Sequence, residues 1–209
     1  TNAPEGGLTR RVYDSNRIRM SGALPDARYD GALDAFEAHW LAHKARYETV
    51  AAQVNLPAEL IAAIHWRESS GDFGTYLHQG DPLGKQAVNV PNDIPIFNEW
   101  EPAAVHALNM KQGIQDRLGL EQDSTDVAAM ATYAEFYNGL GYFQQGRESP
   151  YALAGTDAYS RGKYTSDGSF SATTRDRQPG IVSMLGRAGS VSNTDTSGLP
   201  TPMPVLRIG

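Results

Sequence analysis

The chain contains no cysteine among its 209 residues. This excludes disulfides and thiolate metal sites, and it also excludes a cysteine nucleophile. No apolar run approaches the length of a transmembrane helix, so we expect no membrane insertion. Positive charge is also scarce, since 18 Lys and Arg residues oppose 24 Asp and Glu residues, a formal net charge of −6. Proteins that bind nucleic acid irrespective of its sequence usually have a basic face, so we expect no nucleic-acid partner.

Several catalytic signatures are missing as well. There is no phosphate-binding glycine loop and no Gly-x-Ser-x-Gly elbow of a serine hydrolase. His39 and His43 stand one turn apart on a predicted helix, but a zinc-protease signature needs Glu directly after the first His, and Trp40 is there. We therefore predict no metal site and no cofactor, and interpret both histidines as helix-surface residues.

The length suits one domain with a sizeable core. Residues 1–28 mix Gly, Pro, Arg and Asp without a sustained period, which predicts an irregular N-terminal arm with at most one short element. Residues 189–209 are rich in Ser, Thr, Gly and Pro, which predicts a tail without a core of its own. The folded domain is therefore assigned to residues 29–188. Both arms are of a kind that docks on a partner in an assembly.

Apolar residues at helical spacing predict an α+β fold that is mainly α-helical. Ser124 or Thr125 is expected to cap the helix that begins at Asp126, and Asn55 the helix that begins near Pro57. Residues 71–99 are rich in Gly, Pro, Asp and Asn and predict a long loop, which inside a compact domain is usually functional. Helices are predicted over 29–54, 57–70, 101–118, 126–137 and 181–185, and a hairpin over 163–170.

One carboxylate lies on the apolar side of a predicted helix. Glu68 follows Ile64 by four residues and Ile61 by seven, so it points where the apolar stripe points. Gly71 then ends the helix within one turn. Burial raises the pKa of a carboxyl group and keeps its proton available near neutral pH, as a general acid requires. Position alone also fits an ordinary solvated glutamate.

Two motifs resemble those of the lysozyme-like superfamily, most closely lytic transglycosylases and goose-type lysozymes. In the stretch RESSGDF, residues 67–73, Glu68-Ser69 resembles the Glu-Ser that begins the family signature. The stretch ATYAEFYNGLGY, residues 131–142, resembles the helix with an Ala-x-Tyr-Asn-x-Gly element. The motifs occur in the family's order, about seventy residues apart. The Gly-Leu-Met-Gln segment that follows Glu-Ser in lytic transglycosylases has no clean copy.

The resemblance implies a lysozyme-like fold with a small β-lobe or long loop beside a sugar cleft. It implies an enzyme that cleaves the β-1,4 bond between N-acetylmuramic acid and N-acetylglucosamine in peptidoglycan, with Glu68 as general acid and base and Tyr137 beside it. The family's enzymes act on the bacterial cell wall, so we expect a phage virion component or a secreted or periplasmic protein. Other phage particle proteins are possible partners through the arms. Candidate substrate-binding residues are Ser69, Tyr76, His78, Asp81, Tyr133, Asn138 and Tyr142.

The number of carboxylates separates two versions of this chemistry. Glycoside cleavage usually employs an acid and a base or nucleophile. Asp81 is the best-placed second carboxylate, followed by Asp72 and Asp93. Lytic transglycosylases need only one Glu, so the lone strong candidate favours a transglycosylase that forms 1,6-anhydro ends over a hydrolytic lysozyme. A catalytically silent wall-binding or structural virion module stays open, whereas the lack of cysteine and of a zinc signature disfavours a peptidase.

Overall fold

The computed structural model describes residues 7–166 and 168–195. Within these ranges the chain is mainly helical, with one two-stranded antiparallel sheet, which confirms the predicted mainly α-helical class. No described helix is both long and apolar enough to cross a membrane. The elements are α1 Gly7–Met20, a 3-10 turn Ala27–Tyr29, α2 Asp30–Val54, α3 Ala58–Ser69, α4 Trp100–Asn109, α5 Gln112–Leu118, α6 Val127–Asn138, α7 Gly141–Gln144, α8 Pro150–Leu153, β1 Lys163–Ser166, β2 Ser169–Ser171 and α9 Ile181–Asp195.

Helix α3 lies at the centre of the core. Its residues 60–64 are all fully buried, so the helix is covered on every side there rather than along one stripe. It packs against α2 and α9, and α2 also packs against α4. A helix that is apolar all round belongs in the interior of a fold. Its C-terminal end, which bears Glu68, is therefore held from several directions.

The prediction of an irregular arm is wrong for residues 7–20, which form α1 and pack against α6. Tyr13 is buried, and its hydroxyl donates a hydrogen bond to Asp126 at 2.9 Å. The buried Asn16 donates to Thr132 at 3.2 Å. Polar pairs such as these leave little apolar periodicity in the sequence. Of the predicted arm, residues 1–6 lie outside the described ranges.

Two predicted helix caps are also corrected. Asp126, rather than Ser124 or Thr125, caps α6, because its side chain accepts a hydrogen bond from the Ala129 amide at 3.0 Å. Asn55 does not cap α3. It ends α2 in the left-handed conformation, with φ of 52°, a conformation that asparagine tolerates better than most residues.

Two further predicted helices have different bounds in the structure, and the predicted hairpin is present. The helix predicted over 101–118 is divided into α4 and α5 at Met110 and Lys111. The short closing helix continues as α9 to Asp195 and enters the predicted tail, whose residues 196–209 lie outside the described ranges. The predicted hairpin is confirmed, with Tyr164 opposite Phe170.

The predicted long loop is confirmed between α3 and α4, where the described structure has no helix or named strand over residues 70–99. Tyr76 organises this loop from within. Its side chain is fully buried, its hydroxyl donates to the Lys85 carbonyl at 2.9 Å, and the Phe97 amide donates to it at 2.9 Å. Buried hydrogen bonds from one tyrosine thus replace a regular ladder of backbone pairs.

Helix α6 has a buried glutamate on the side that packs against α1. Glu135 is 2% exposed and lies near Asn16 of α1. Its Oε1 atom is buried without a hydrogen-bond partner. Burial raises the pKa of Glu135 to about 7, against the weaker opposing effects of Asn16 and Arg19.

We expect Glu135 to weaken the fold as pH rises. The protonated side chain is the form that the folded protein stabilises. Its contribution is therefore complete below the ordinary glutamate pKa and is lost as pH rises through about 7. The full loss is about 3 kcal/mol of unfolding free energy. Urea unfolding between pH 4 and 8 should show a flatter pH dependence for Glu135→Gln than for the wild type.

The matched control is Glu48→Gln, since Glu48 is 53% exposed on α2. This variant should keep the wild-type pH dependence. Identical curves for Glu135→Gln and the wild type would refute the assignment of a neutral, buried carboxyl group at position 135.

Candidate active site

A cavity of about 630 Å³ opens at the C-terminal end of α3. The end of α6, helices α7 and α8, the β1–β2 hairpin and the segment around residue 176 form its remaining walls. Its size is within the range of ordinary ligand pockets. The lining residues that bear on its chemistry are Arg67, Asn138, Tyr142, Tyr151, Lys163 and Asp176.

Glu68 lies directly behind one wall of this cavity. Its Oε1 atom accepts a hydrogen bond of 2.8 Å from the hydroxyl of Tyr151, and the ring of Tyr151 lines the cavity. The described residues make no other hydrogen bond to this carboxyl group, so Oε2 is unengaged. Burial raises the pKa of Glu68, although the Tyr151 hydrogen bond and the charge of Arg67 act in the opposite direction. The sequence-based expectation of a raised pKa at this position therefore agrees with the geometry.

Tyr137 lies near Glu68 but does not hydrogen-bond to it. Burial raises the pKa of Tyr137, and the negative charge of Glu68 raises it further. The Tyr137 hydroxyl instead donates to the carbonyl of Leu77 at 2.8 Å. The tyrosine thus connects the end of α6 to the long loop. In this structure its contact is with the backbone that shapes the site rather than with the carboxyl group.

Two other predicted residues do reach the cavity. Asn138 is exposed and lies at its edge. Tyr142 also lines it, and the hydroxyl of Tyr142 accepts a hydrogen bond of 2.9 Å from the Tyr164 amide. Tyr142 therefore joins α7 to the hairpin, so the two sides of the cavity are held at a fixed separation.

Ser69 and Tyr133 are not brought to the cavity. Ser69 follows Glu68 on α3, and its hydroxyl lies 3.5 Å from the His65 carbonyl, at the limit of a hydrogen bond. Tyr133 is fully buried, with its hydroxyl 3.4 Å from the carbonyl of Leu108. Its aromatic spacing with Tyr137 reflects packing between α6 and α4, so it has no surface to offer a sugar.

Asp81 serves the loop and is not a second catalytic carboxylate. The amides of Val88 and Asn89 both donate to its Oδ2 at 2.8 Å, and the Asn89 side chain donates to Oδ1. The Asn89 and Val88 hydrogen bonds hold the pKa of Asp81 below its usual value, against the effect of burial. Neither Asp72 nor Asp93 lines the cavity, and Asp72 accepts a hydrogen bond from the Gly74 amide.

Tyr76 and His78 are also loop residues rather than cavity residues. Tyr76 is the buried centre of the loop described above. His78 Nε2 lies 2.9 Å from Nδ1 of His106 on α4, and its ring stacks on Phe97. Burial, with a smaller effect of His106, lowers the pKa of His78 to about 4. The contact between the two rings joins the loop to α4.

A hydrogen-bonded chain fixes the junction between α3 and the loop. His65 Nε2 lies 3.1 Å from the Asp72 carbonyl, His65 Nδ1 lies 2.8 Å from the Tyr47 hydroxyl, and that hydroxyl lies 2.6 Å from His39 Nε2. The His39 ring covers Gly71, where a Cβ would lie 2.5 Å from the ring. His39 is therefore half-buried rather than a helix-surface residue. Within the described residues, no three His, Asp or Glu side chains are grouped to hold a metal.

The sequence analysis missed the ion pair that forms the floor of the cavity. Arg67 and Asp176 have side chains only 7% and 5% exposed, and they meet at 2.9 Å. Lys163 binds the other carboxylate oxygen of Asp176 at 3.2 Å. Burial would raise the pKa of Asp176, but the charges of Arg67 and Lys163 hold it below its usual value. Nothing in the sequence near Asp176 marks this pairing.

The sequence suggests Tyr151 as a residue that lines a glycan groove or packs, but it does not predict the contact of Tyr151 with Glu68. Its neighbours give a weak signal, because Pro150 is at the first position of a helix, where proline is favoured. Helix α8 has only four residues, too few to show a periodic pattern. The contact with Glu68 also joins residues 83 positions apart, which no local pattern can reveal.

We expect Tyr137→Phe to loosen the long loop. The Leu77 carbonyl would lose its partner in a fully buried position, which typically costs about 1–3 kcal/mol. Urea unfolding and limited proteolysis within residues 70–99 measure the two effects. Tyr133→Phe is the control, because the Tyr133 hydrogen bond is longer and its removal should reduce the stability less. Equal stability and equal cleavage of wild type and Tyr137→Phe would show that the hydroxyl does not hold the loop.

Comparisons of the chain with protein-family models, with curated proteins and with solved structures find no match. The lysozyme-like assignment accordingly stays a proposal, supported by the two motifs and by the geometry around Glu68.

Proposed function

We propose that the protein degrades peptidoglycan by cleaving the β-1,4 bond between N-acetylmuramic acid and N-acetylglucosamine. The observation that carries this proposal is the state of Glu68. Its carboxyl group has a raised pKa, one oxygen held by Tyr151 and the other unengaged, beside a cavity of ligand size. A general acid needs this combination of an available proton and a fixed position. The lysozyme-like fold, with the β1–β2 hairpin as one wall of the cleft, is part of the proposal.

The proposed reaction uses Glu68 twice. Protonated Glu68 first donates its proton to the glycosidic oxygen, and the bond from that oxygen to C1 of the muramic acid breaks. The Glu68 carboxylate then accepts the proton of the sugar's 6-hydroxyl, whose oxygen forms a bond to C1 and closes a 1,6-anhydro ring. The substrate's N-acetyl group stabilises the intermediate, as in other substrate-assisted glycosidases. The Tyr151 hydrogen bond stabilises Glu68 while it is ionised between the two steps.

The carboxylates around the cavity favour a lytic transglycosylase over a hydrolytic lysozyme. A hydrolase of the common type needs a second carboxylate to activate water or to attack C1. Asp176 is the one carboxylate among the described lining residues, and both of its oxygens are bound by cations. Asp81 is held by the loop backbone. A mechanism with one glutamate needs neither.

The place of action is part of the same proposal. Glycan strands of the bacterial cell wall are the proposed partner, and the protein would reach them from a phage particle or as a secreted or periplasmic protein. Contacts with other particle proteins would involve the terminal segments, residues 1–6 and 196–209, because α1 is already packed against α6.

We expect Glu68→Gln to reduce the release of glycan fragments from purified peptidoglycan by about 100-fold or more, because the amide cannot donate the acid's proton. Mass spectrometry of the fragments should show 1,6-anhydro ends for the wild type. Glu59→Gln, in the first turn of the same helix, is the matched control and should retain activity. Near-wild-type release of glycan fragments by Glu68→Gln would refute Glu68 as the general acid. Fragments with reducing ends would identify a lysozyme.

We expect Tyr151→Phe to move the alkaline limb of the activity profile to higher pH. The hydroxyl lowers the pKa of Glu68, so its removal keeps the acid protonated at higher pH. The measurement is kcat/KM as a function of pH. Tyr142→Phe also removes a hydroxyl at the cavity, but one bonded to the Tyr164 amide, so its alkaline limb should not move. A Tyr151→Phe profile that is lower yet unshifted would limit Tyr151 to packing.

A further inference from the structure

The described lining of the cavity beside Glu68 has a charge opposite to that of the whole chain. Among its described lining residues are two cations, Arg67 and Lys163, and one carboxylate, Asp176, whereas the chain has a formal net charge of −6. Asp176 binds both cations, Arg67 through Oδ2 and Lys163 through Oδ1. One carboxylate balances one cation, so these described residues keep an excess positive charge. Glu68 does not neutralise this positive charge when the substrate binds, because a general acid is still protonated at that stage.

Lys163 is the cation that a ligand can reach. Its side chain is 30% exposed, whereas that of Arg67 is 7% exposed and is also bonded to the carbonyls of Gln178 and Pro179. The Lys163 ammonium group makes one hydrogen bond among the described residues, to Asp176 at 3.2 Å. An ammonium group has three protons, so two remain for a ligand. Lys163 begins β1, whose residues form the hairpin wall of the cavity.

We propose that Lys163 is a specificity-determining residue, which binds a carboxylate carried by the sugar in the cavity and makes the site prefer acidic glycans to neutral ones. This inference rests on the proposed function and adds the charge of the substrate to it. A charge-assisted hydrogen bond from an ammonium group to a carboxylate is among the stronger polar contacts. The partial burial of Lys163 protects that contact from screening by salt.

Peptidoglycan offers such a carboxylate from two sources. N-acetylmuramic acid has a lactyl group, whose carboxyl group is either free or joined to a peptide with carboxylates of its own. Chitin has the same β-1,4 linkage and the same N-acetyl groups but no carboxylate. Oligomers of these three kinds therefore differ in charge while they share the bond to be cleaved.

The test measures kcat/KM on three soluble hexasaccharides. One is a neutral chitin oligomer, one alternates N-acetylglucosamine with N-acetylmuramic acid bearing free lactyl groups, and one has the same backbone with peptides attached. We expect the wild type to prefer an acidic oligomer, and Lys163→Met to reduce the ratio of acidic to neutral by about tenfold. Lys163→Arg should restore most of the preference, because it keeps the charge. The preferred acidic oligomer identifies the source of the carboxylate.

Lys44→Met is the matched control, since Lys44 is 41% exposed on α2 and is paired with Glu48 outside the cavity. It should keep the wild-type ratio. An unchanged ratio in Lys163→Met, or an equal fall in Lys44→Met, overturns the inference. Wild-type protein that cleaves all three oligomers equally overturns this inference alone. Wild-type protein that cleaves none of them overturns the proposed function as well.

Discussion

One buried carboxylate, Asp176, joins two elements of the cavity wall, α3 and β1, to the start of α2. Its side chain binds Arg67 on α3 and Lys163 on β1. Its amide donates to the hydroxyl of Tyr159, and its carbonyl accepts from the hydroxyl of Tyr29, which precedes α2. Removal of one partner from a buried ion pair is strongly destabilising, because the remaining charge is left without compensation. The central helix, the hairpin and the start of α2 therefore keep their relative positions through a single residue that has no catalytic part in the proposed reaction.

The buried carboxyl groups show how strongly local donors decide protonation. Asp81 and Asp176 each receive several hydrogen bonds or cations, and their pKa values lie below the usual range. Glu68 accepts one side-chain hydrogen bond, Glu135 has a buried oxygen without a partner, and burial raises both pKa values. Burial alone therefore does not distinguish an acid from a structural anion in this protein. The number of hydrogen-bond donors and cations around a carboxyl group distinguishes the two, as expected from the competition between desolvation and hydrogen bonding.

Sequence patterns predicted the parts of the fold that apolar packing creates. Helices α2, α3 and α6 bury periodic apolar residues, and the spacing from Ile61 and Ile64 correctly placed Glu68 on the inward side of its helix. Helix α1 was missed because polar pairs contribute to its contact with α6. The partners of Glu68 and Arg67 were missed because they lie 83 and 109 residues away, on short or irregular segments. Local periodicity contains no information about such pairs.

The chain of His39, Tyr47, His65 and Asp72 has a fixed direction. A carbonyl oxygen can only accept, so His65 Nε2 carries the proton, and Nδ1 of the neutral ring must accept one from the Tyr47 hydroxyl. The Tyr47 oxygen in turn accepts from His39 Nε2. His39 Nδ1 is then the only ring nitrogen of the chain with a free lone pair. An added proton can enter there without disturbing a single bond, whereas one placed on His65 would oppose the Tyr47 hydroxyl. A first added proton is therefore accommodated at the outer end of the junction, and burial, which lowers the pKa of His39 and of His65 to about 4, keeps both rings neutral near neutral pH.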